Sequence, residues 1–278
     1  MIKKVAAATA LSVLFVSAVV FAAVSGSVTV KGSDTLVILA QRWAEEFMKK
    51  NPDVKIQVTG GGSGTGISAL INGTTDICNA SRPIKTKERK KLKQRHNNSG
   101  VEVKVARDGI AIYVNEENPV KELSIKQLKG IYTGTITNWK QVGGKDAKII
   151  LYGRDNSSGT YVYFRDNVLN GQDFASNMQS MPGTAAMVNA VARDKNGIGY
   201  GGAAYGKGIR FPAIKKDRKS KAYEPNLESV KSGKYPISRY LYMYLKGRPE
   251  GATKAFIDWI LTDEGQKIVN KVGYYPIR

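Results

Sequence analysis

Along this chain, apolar positions recur either every second residue or three and four residues apart, and the changes of period mark out its elements. Ser27 to Lys31 (SVTVK) reads as a strand. From Leu36 to Lys50 the apolar residues Leu39, Ala40, Trp43, Ala44 and Phe47 share one helical face, and Asn51-Pro52-Asp53 ends that helix. Val54 to Thr59 (VKIQVT) alternates as a strand does, and the turn GGGSGTG leads into a helix over Ile67 to Asn72. Asp76 to Ala80 is a short strand, Thr86 to Arg95 a basic helix, and Val101 to Asn115 a long β-rich run. Helices follow at Ile125 to Tyr132, Tyr161 to Leu169 and Gly183 to Asp194, with strands at Ile149 to Tyr152 and Gly197 to Ala203. Tyr240 to Leu245 (YLYMYL) is a second long β-run, and Ala252 to Val272 is a helical tail broken near Thr262-Asp263.

Strand, glycine-rich turn and helix in alternation are the grammar of an α/β fold. The two long β-runs predict crossovers between two lobes. Residues 27–108 with 236–278 would form one lobe and residues 109–235 the other, with ligand in the cleft between them. The sequence has 278 residues, 42% of them hydrophobic, which fits one large or two smaller folded units and excludes a disordered chain.

The N-terminus follows a different pattern. Met1-Ile2-Lys3-Lys4 is a short basic start, and Val5 to Ala23 is an apolar run rich in small residues. This predicts a secretory signal over residues 1–23, cleaved after Ala22, Ala23 or Ser25. The alternative is an uncleaved anchor, which the small-residue exit disfavours. Cys78 is the only cysteine, so there is no intrachain disulfide and no lipid-anchoring cysteine after the signal. A free, exported protein held in a periplasm is expected.

The net charge of +20 admits nucleic acid, an anionic surface or an anionic small ligand as partner. The dense basic stretches, Lys85 to Arg95 and Lys215 to Lys221, are not interleaved with aromatics as a nucleic-acid surface would be. They read as solvated basic surface, with no nucleic-acid partner.

Three segments carry the candidate chemistry. Each is a strand, a small-residue turn and a helix: Gly32-Ser33-Asp34-Thr35-Leu36, then Gly60 to Gly66, then Arg154 to Thr160. Helix starts offer unpaired N–H groups and a positive dipole end, small residues admit an anion close to backbone, and hydroxyls add donors. One such turn is an ordinary cap; three on separate strands, with Arg82 and Arg154 beside them, point to an oxyanion site. GGGSGTG lacks the Lys of a phosphate-binding P-loop and the spacing of a dinucleotide fingerprint, and there is no GxSxG elbow. The single histidine, His96, has no evident partner and reads as solvent-exposed, and Cys78 reads as a small buried residue. A triad, a metal site and a cofactor are therefore not expected.

GSDTL, GGGSGTG, ASRPI, DGIAIYVN, the run from NPV to IYTGTITNW and the turn R…SSGT occur in that order from about Val28 onward. In this combination the chain resembles the phosphate-binding proteins of bacterial high-affinity phosphate ABC transporters. The resemblance implies a type II periplasmic binding-protein fold that closes on a dehydrated phosphate held by hydrogen bonds. It places Ser33, Thr35, Leu36, Ser63, Ser81, Arg154, Ser158, Gly159 and Thr160 around the anion, with Thr35 giving a hydroxyl and Leu36 a backbone N–H. The best-known relatives have Asp where this chain has Arg82. The resemblance therefore implies a second cation at Arg82 and moves the proton acceptor to Asp108 of RDGI, which resembles the DG of the arginine-bearing branch. Asp34, otherwise an N-cap, and Asp155 are reserves. The implied function is capture of inorganic phosphate and delivery to an ABC permease, with no covalent chemistry; nothing in the sequence indicates oligomerisation, and a monomer is expected. The alternatives are a secreted phosphatase-like enzyme, a binder of another oxyanion such as sulfate, and a polyanion-binding surface protein.

Overall fold

Three parallel strands start the fold. In the computed structural model, which describes residues 24–277, β1 (Gly26–Gly32) pairs with β2 (Val54–Thr59) on one side and β3 (Ile77–Ala80) on the other. The signal expected over residues 1–23 lies outside the described residues. Helices α1 (Val37–Lys50), α2 (Ser63–Asn72) and α3 (Thr86–His96) connect the strands and lead on to β4 (Val101–Val114).

β4 serves two partners. Its first part, up to Gly109, pairs antiparallel with the late strand β10 (Ser238–Leu245), and from Ile110 it pairs antiparallel with β8 (Gly197–Gly202). Between them the chain builds a second α/β unit. It runs through β5 (Glu122–Ser124), α4 (Ile125–Tyr132), β6 (Ile150–Gly153), α5 (Gly159–Asn167), β7 (Gln179–Ser180), α6 (Thr184–Arg193), β8, β9 (Ala213–Lys215) and α7 (Leu227–Lys231). It returns through β10 to α8 (Gly251–Ile260) and α9 (Asp263–Val272). The main sheet has the order β2-β1-β3-β10-β4-β8-β6-β7, with β5 and β9 forming a small separate pair.

Each half of that sheet is covered on both faces. In the first lobe, Trp43 and Phe47 of α1, Phe256 of α8 and Val269 of α9 pack on Val28, Val30, Leu241 and Met243. Ile67 and Leu70 of α2 and Leu92 of α3 cover the other face against Cys78, Ala80 and Tyr244. In the second lobe, Tyr132, Phe164 and Tyr200 form an aromatic core with ring centroids 4.2–5.3 Å apart. Met187 and Val191 of α6 cover its other face. Two cores joined by β4 and the chain entering β10 make this a two-lobed α/β binding-protein fold. No helix among the described residues is long and apolar enough to cross a membrane.

Helix α2 begins at Ser63, four residues before the apolar periodicity shows itself, because its first turn, SGTG, has no apolar side chain to display a period. The β5–β9 pair, β7 and α7 were not legible in the sequence, since segments of two to five residues are too short to display a period.

Candidate functional site

Helices from opposite lobes start against each other. α2 begins at Ser63 and α5 at Gly159, so the N–H groups that each helix start leaves without an intrahelical partner meet in one place, together with two positive dipole ends. Glycine allows the approach: a Cβ on Gly159 would lie 2.3 Å from Ser63 Oγ and 2.7 Å from Ser81 Oγ. Backbone bonds cross the same gap. The Gly64 N–H donates to the Ser157 carbonyl at 2.8 Å, and the Ser157 hydroxyl to the Gly61 carbonyl at 3.2 Å.

Hydroxyls line the contact. Thr35 Oγ1 and Thr160 Oγ1, from different lobes, are 2.9 Å apart. Ser63 Oγ accepts the Ser81 N–H at 3.0 Å and lies 3.3 Å from Ser81 Oγ. Ser158 caps α5, its Oγ accepting the Tyr161 N–H at 3.3 Å, which leaves the hydroxyl hydrogen free to donate elsewhere. None of these five hydroxyl side chains is more than 2% exposed. Such a buried, donor-rich lining suits a small oxyanion and no apolar ligand.

Two arginines complete it. Arg154 donates through Nε to the Met181 carbonyl at 3.1 Å and through Nη2 to Asp34 Oδ2 at 2.5 Å, a bond between lobes. Asp34 Oδ1 accepts the Gly61 N–H at 2.9 Å, so this carboxylate ties two of the turns together and is not an N-cap. Arg239 donates through Nε and Nη2 to Asp108 Oδ2 at 3.0 and 2.8 Å, through Nη2 also to Thr160 Oγ1 at 2.9 Å, and through Nη1 to the Ser81 carbonyl at 2.8 Å. Asp108 is wholly buried. Its Oδ1 has no hydrogen-bond partner among the described residues. Burial pushes its carboxyl above the usual range; the charge and hydrogen bonds of Arg239 pull the other way. The Ala203 N–H adds a weaker pull in the same direction as Arg239, without a well-formed bond to Oδ1.

The structure thus brings together Thr35, Ser63, Ser81, Asp108, Arg154, Ser158, Gly159 and Thr160. It does not bring Arg82. That guanidinium forms a two-pronged pair with Glu88 at 2.8 and 2.7 Å and bonds the Pro83 carbonyl, because Glu88 folds back over the start of α3. Leu36 is a second correction. Its N–H is taken by the Ser33 carbonyl at 3.0 Å in a 3-10 turn, while the Ser33 N–H is anchored to the Asn79 carbonyl at 2.9 Å. Asp155 stays in its own loop, accepting the Ser157 N–H at 2.7 Å. His96 is half-buried, its Nε2 2.9 Å from the Ile71 carbonyl at the end of α2, not free in solvent. Cys78 is buried as expected, and burial pushes its thiol up.

Arg239 is the residue that sequence reasoning missed. A signal existed. Arg239, Leu241, Met243 and Leu245 alternate onto one face of β10, and the last three belong to the apolar core. A charge in register with core residues must have a buried partner.

A further surface hollow of about 420 Å³, lined by Asp76, His96, Lys246 and Arg248, lies far from this cluster in the first lobe and has no comparable convergence of buried donors. Among the described residues, no group of three or more His, Cys, Asp or Glu side chains could hold a metal ion.

The family model for the PBP superfamily domain matches residues 21–264. The phosphate-binding protein PstS of Pseudomonas aeruginosa is 35% identical over 271 residues, covering 91% of this chain and 84% of its own. That of Bacillus subtilis is 37% identical over 254 residues, covering 91% and 81%. Among solved structures, a putative phosphate ABC transporter substrate-binding protein from Clostridium perfringens, with bound phosphate, superimposes with a TM-score of 0.83 at 33% identity, covering 91% of this chain and all of that one.

Proposed function

This chain belongs to the PstS family of phosphate-binding proteins within the PBP superfamily, and from that premise we propose that it captures inorganic phosphate between its lobes and delivers it to an ABC permease. The observation that carries the reading is the meeting of two helix starts, five buried hydroxyls and Arg154 at one point between the lobes. We assign residues 27–108 with 236–278 to one lobe and residues 109–235 to the other, a division supported by the two cores, although Ile237 and Tyr275 pack into the second.

The chemistry follows from the donors. Thr35, Ser63, Ser158 and Thr160 donate hydroxyl hydrogens, N–H groups at the starts of α2 and α5 other than that of Gly64 donate from backbone, and Arg154 supplies the cation. Asp108 Oδ1 accepts the proton that phosphate carries and sulfate lacks. Against sulfate, the same oxygen would face another lone pair in a buried site. Closure follows because each lobe holds one side of the same anion, so the ligand binds the closed form better than the open one. The protein is exported by its N-terminal signal to the periplasm and acts as a monomer without covalent chemistry. Its basic surface draws anions in.

Thermal unfolding of the phosphate-stripped protein, with phosphate, sulfate or chloride added at matched ionic strength, tests the reading. Phosphate at about 100 times its Kd should stabilise the fold by about 2.7 kcal/mol, or roughly 5–10 °C in Tm for a chain of this size. Sulfate and chloride should do much less. Equal shifts with phosphate and sulfate would remove Asp108 as acceptor, and no shift with any anion would sink the phosphate reading.

A further inference from the structure

We propose that Arg239 sets the oxyanion selectivity of this site, by holding Asp108 as a carboxylate with one oxygen engaged and the other turned to the ligand. The inference rests on the phosphate-binding reading above and goes beyond it, because selectivity then belongs to a residue that need not touch the anion.

The geometry divides Asp108 in two. Both Arg239 bonds fall on Oδ2, at 3.0 and 2.8 Å, and Oδ1 is buried with no partner among the described residues. A buried carboxylate oxygen without a donor is costly in a finished fold, and it is what an acceptor for a ligand proton requires. Gly202 stands beside it, where a Cβ would lie 3.2 Å from Oδ1.

Arg239 is the cation that faces Asp108. The remaining titratable groups around it are phenols: Tyr113 on β4, Tyr163 on α5, Tyr205 after β8, then Tyr235, Tyr274 and Tyr275. Burial, with the Asp108 charge adding to it, holds each phenol above its usual range, so each stays neutral beside the carboxylate. Without Arg239, burial acts on Asp108 against only the weaker pull of the Ala203 N–H and favours the protonated acid. A protonated Asp108 is a donor. A donor there no longer rejects sulfate, and it competes with the proton of phosphate. Removing the arginine therefore does more than weaken binding; it changes which anion fits.

Arg239 also joins both lobes, through the Ser81 carbonyl and Thr160 Oγ1. It is a positioning residue, acting through Asp108 and Thr160.

The test is calorimetric titration of phosphate and sulfate into wild type, Arg239→Gln, Arg239→Lys, Asp108→Asn and the Asp108→Asn/Arg239→Gln double variant, at one acidic and one alkaline pH, since burial raises the carboxyl. Arg239→Gln should narrow the phosphate-to-sulfate ratio by about tenfold or more, the worth of a hydrogen bond to an ion made or lost in a buried site, and more at the lower pH than at the higher. Arg239→Lys keeps the cation and should keep most of the ratio. Asp108→Asn should lose the ratio at both pH values, and adding Arg239→Gln should not lower it further. If Arg239→Gln weakens both anions alike with the ratio unchanged at either pH, Arg239 is only structural and the proposal falls. If Asp108→Asn keeps the wild-type ratio, or wild type does not prefer phosphate, the underlying reading of the site fails instead.

Discussion

Arg154 has three tasks for one side chain. Its Nε holds the Met181 carbonyl, its Nη2 holds Asp34 in the other lobe, and in the proposed function its remaining N–H groups hold the ligand. A lysine keeps the charge but has one nitrogen on a flexible stem and cannot serve three directions from a rigid plane. Arg154→Lys should therefore weaken phosphate binding by about 10- to 100-fold, the loss of one or two charge-assisted hydrogen bonds, and Arg154→Ala should nearly abolish it with the circular dichroism of the fold unchanged. Calorimetric affinity decides; a lysine variant binding like wild type would show that charge alone matters at this position.

The same scale explains what the sequence could tell of the site. Ser63, Ser158, Gly159 and Thr160 stand at glycine- and serine-rich helix starts, where local rules apply, and those residues are found together. Arg82 and Arg239 could not be sorted by such rules. Both are arginines beside a strand end, and what separates them is a tertiary partner: Glu88 from the next helix takes Arg82, and Asp108 from the neighbouring strand takes Arg239. The N-cap reading of Asp34 failed for a similar reason, since its partner Arg154 is 120 residues away.

At the scale of elements, the fit between α2 and α5 depends on the absence of one methyl group. The position a Cβ would take on Gly159 lies well inside contact distance of two serine oxygens on the facing lobe. Gly159→Ala should leave each lobe folded, because the backbone there is ordinary helix, and should cost closure. We expect phosphate affinity to fall by at least about tenfold, in line with the roughly 1–3 kcal/mol typical of overpacking a tight contact, with the unliganded Tm within about 2 °C of wild type, as for a substitution worth under about 1 kcal/mol. Differential scanning with and without phosphate separates the two effects, and full retention of the phosphate shift would show that the helices do not approach this closely in solution. The elements were the most legible level of the sequence. Long periodic segments such as α1 and β4 were found nearly to the residue, whereas the start of α2 was obscured by the buried polar turn that makes it functional.

At the scale of the molecule, the contacts across the cleft at the candidate site are polar: Asp34 with Arg154, Thr35 with Thr160, Gly64 with Ser157, and the Tyr205 hydroxyl donating to the Asp34 carbonyl at 2.7 Å. Polar contacts of this kind exchange readily for water, so closure depends on the anion more than on buried apolar area. Small-angle scattering should show the radius of gyration, about 18 Å for a compact chain of this length, falling when phosphate is added to the stripped protein. The Arg154→Ala variant should stay expanded. A radius that does not respond to phosphate would mean that the lobes close without it.

The Asp108–Arg239 pair lies on neighbouring strands, β4 and β10, at the point where β4 exchanges one strand partner for the other. In the proposed closing motion that point is the pivot. When the lobes swing apart, Thr35 leaves Thr160 and Gly159 leaves Ser63, but two residues fixed side by side on the axle keep their places. The gatekeeper is thus assembled before the door shuts. A visiting anion meets it on first arrival, and closing the lobes then strips the water from both, so on the proposed reading an ion without a proton to offer gains too little from closure to hold the lobes shut.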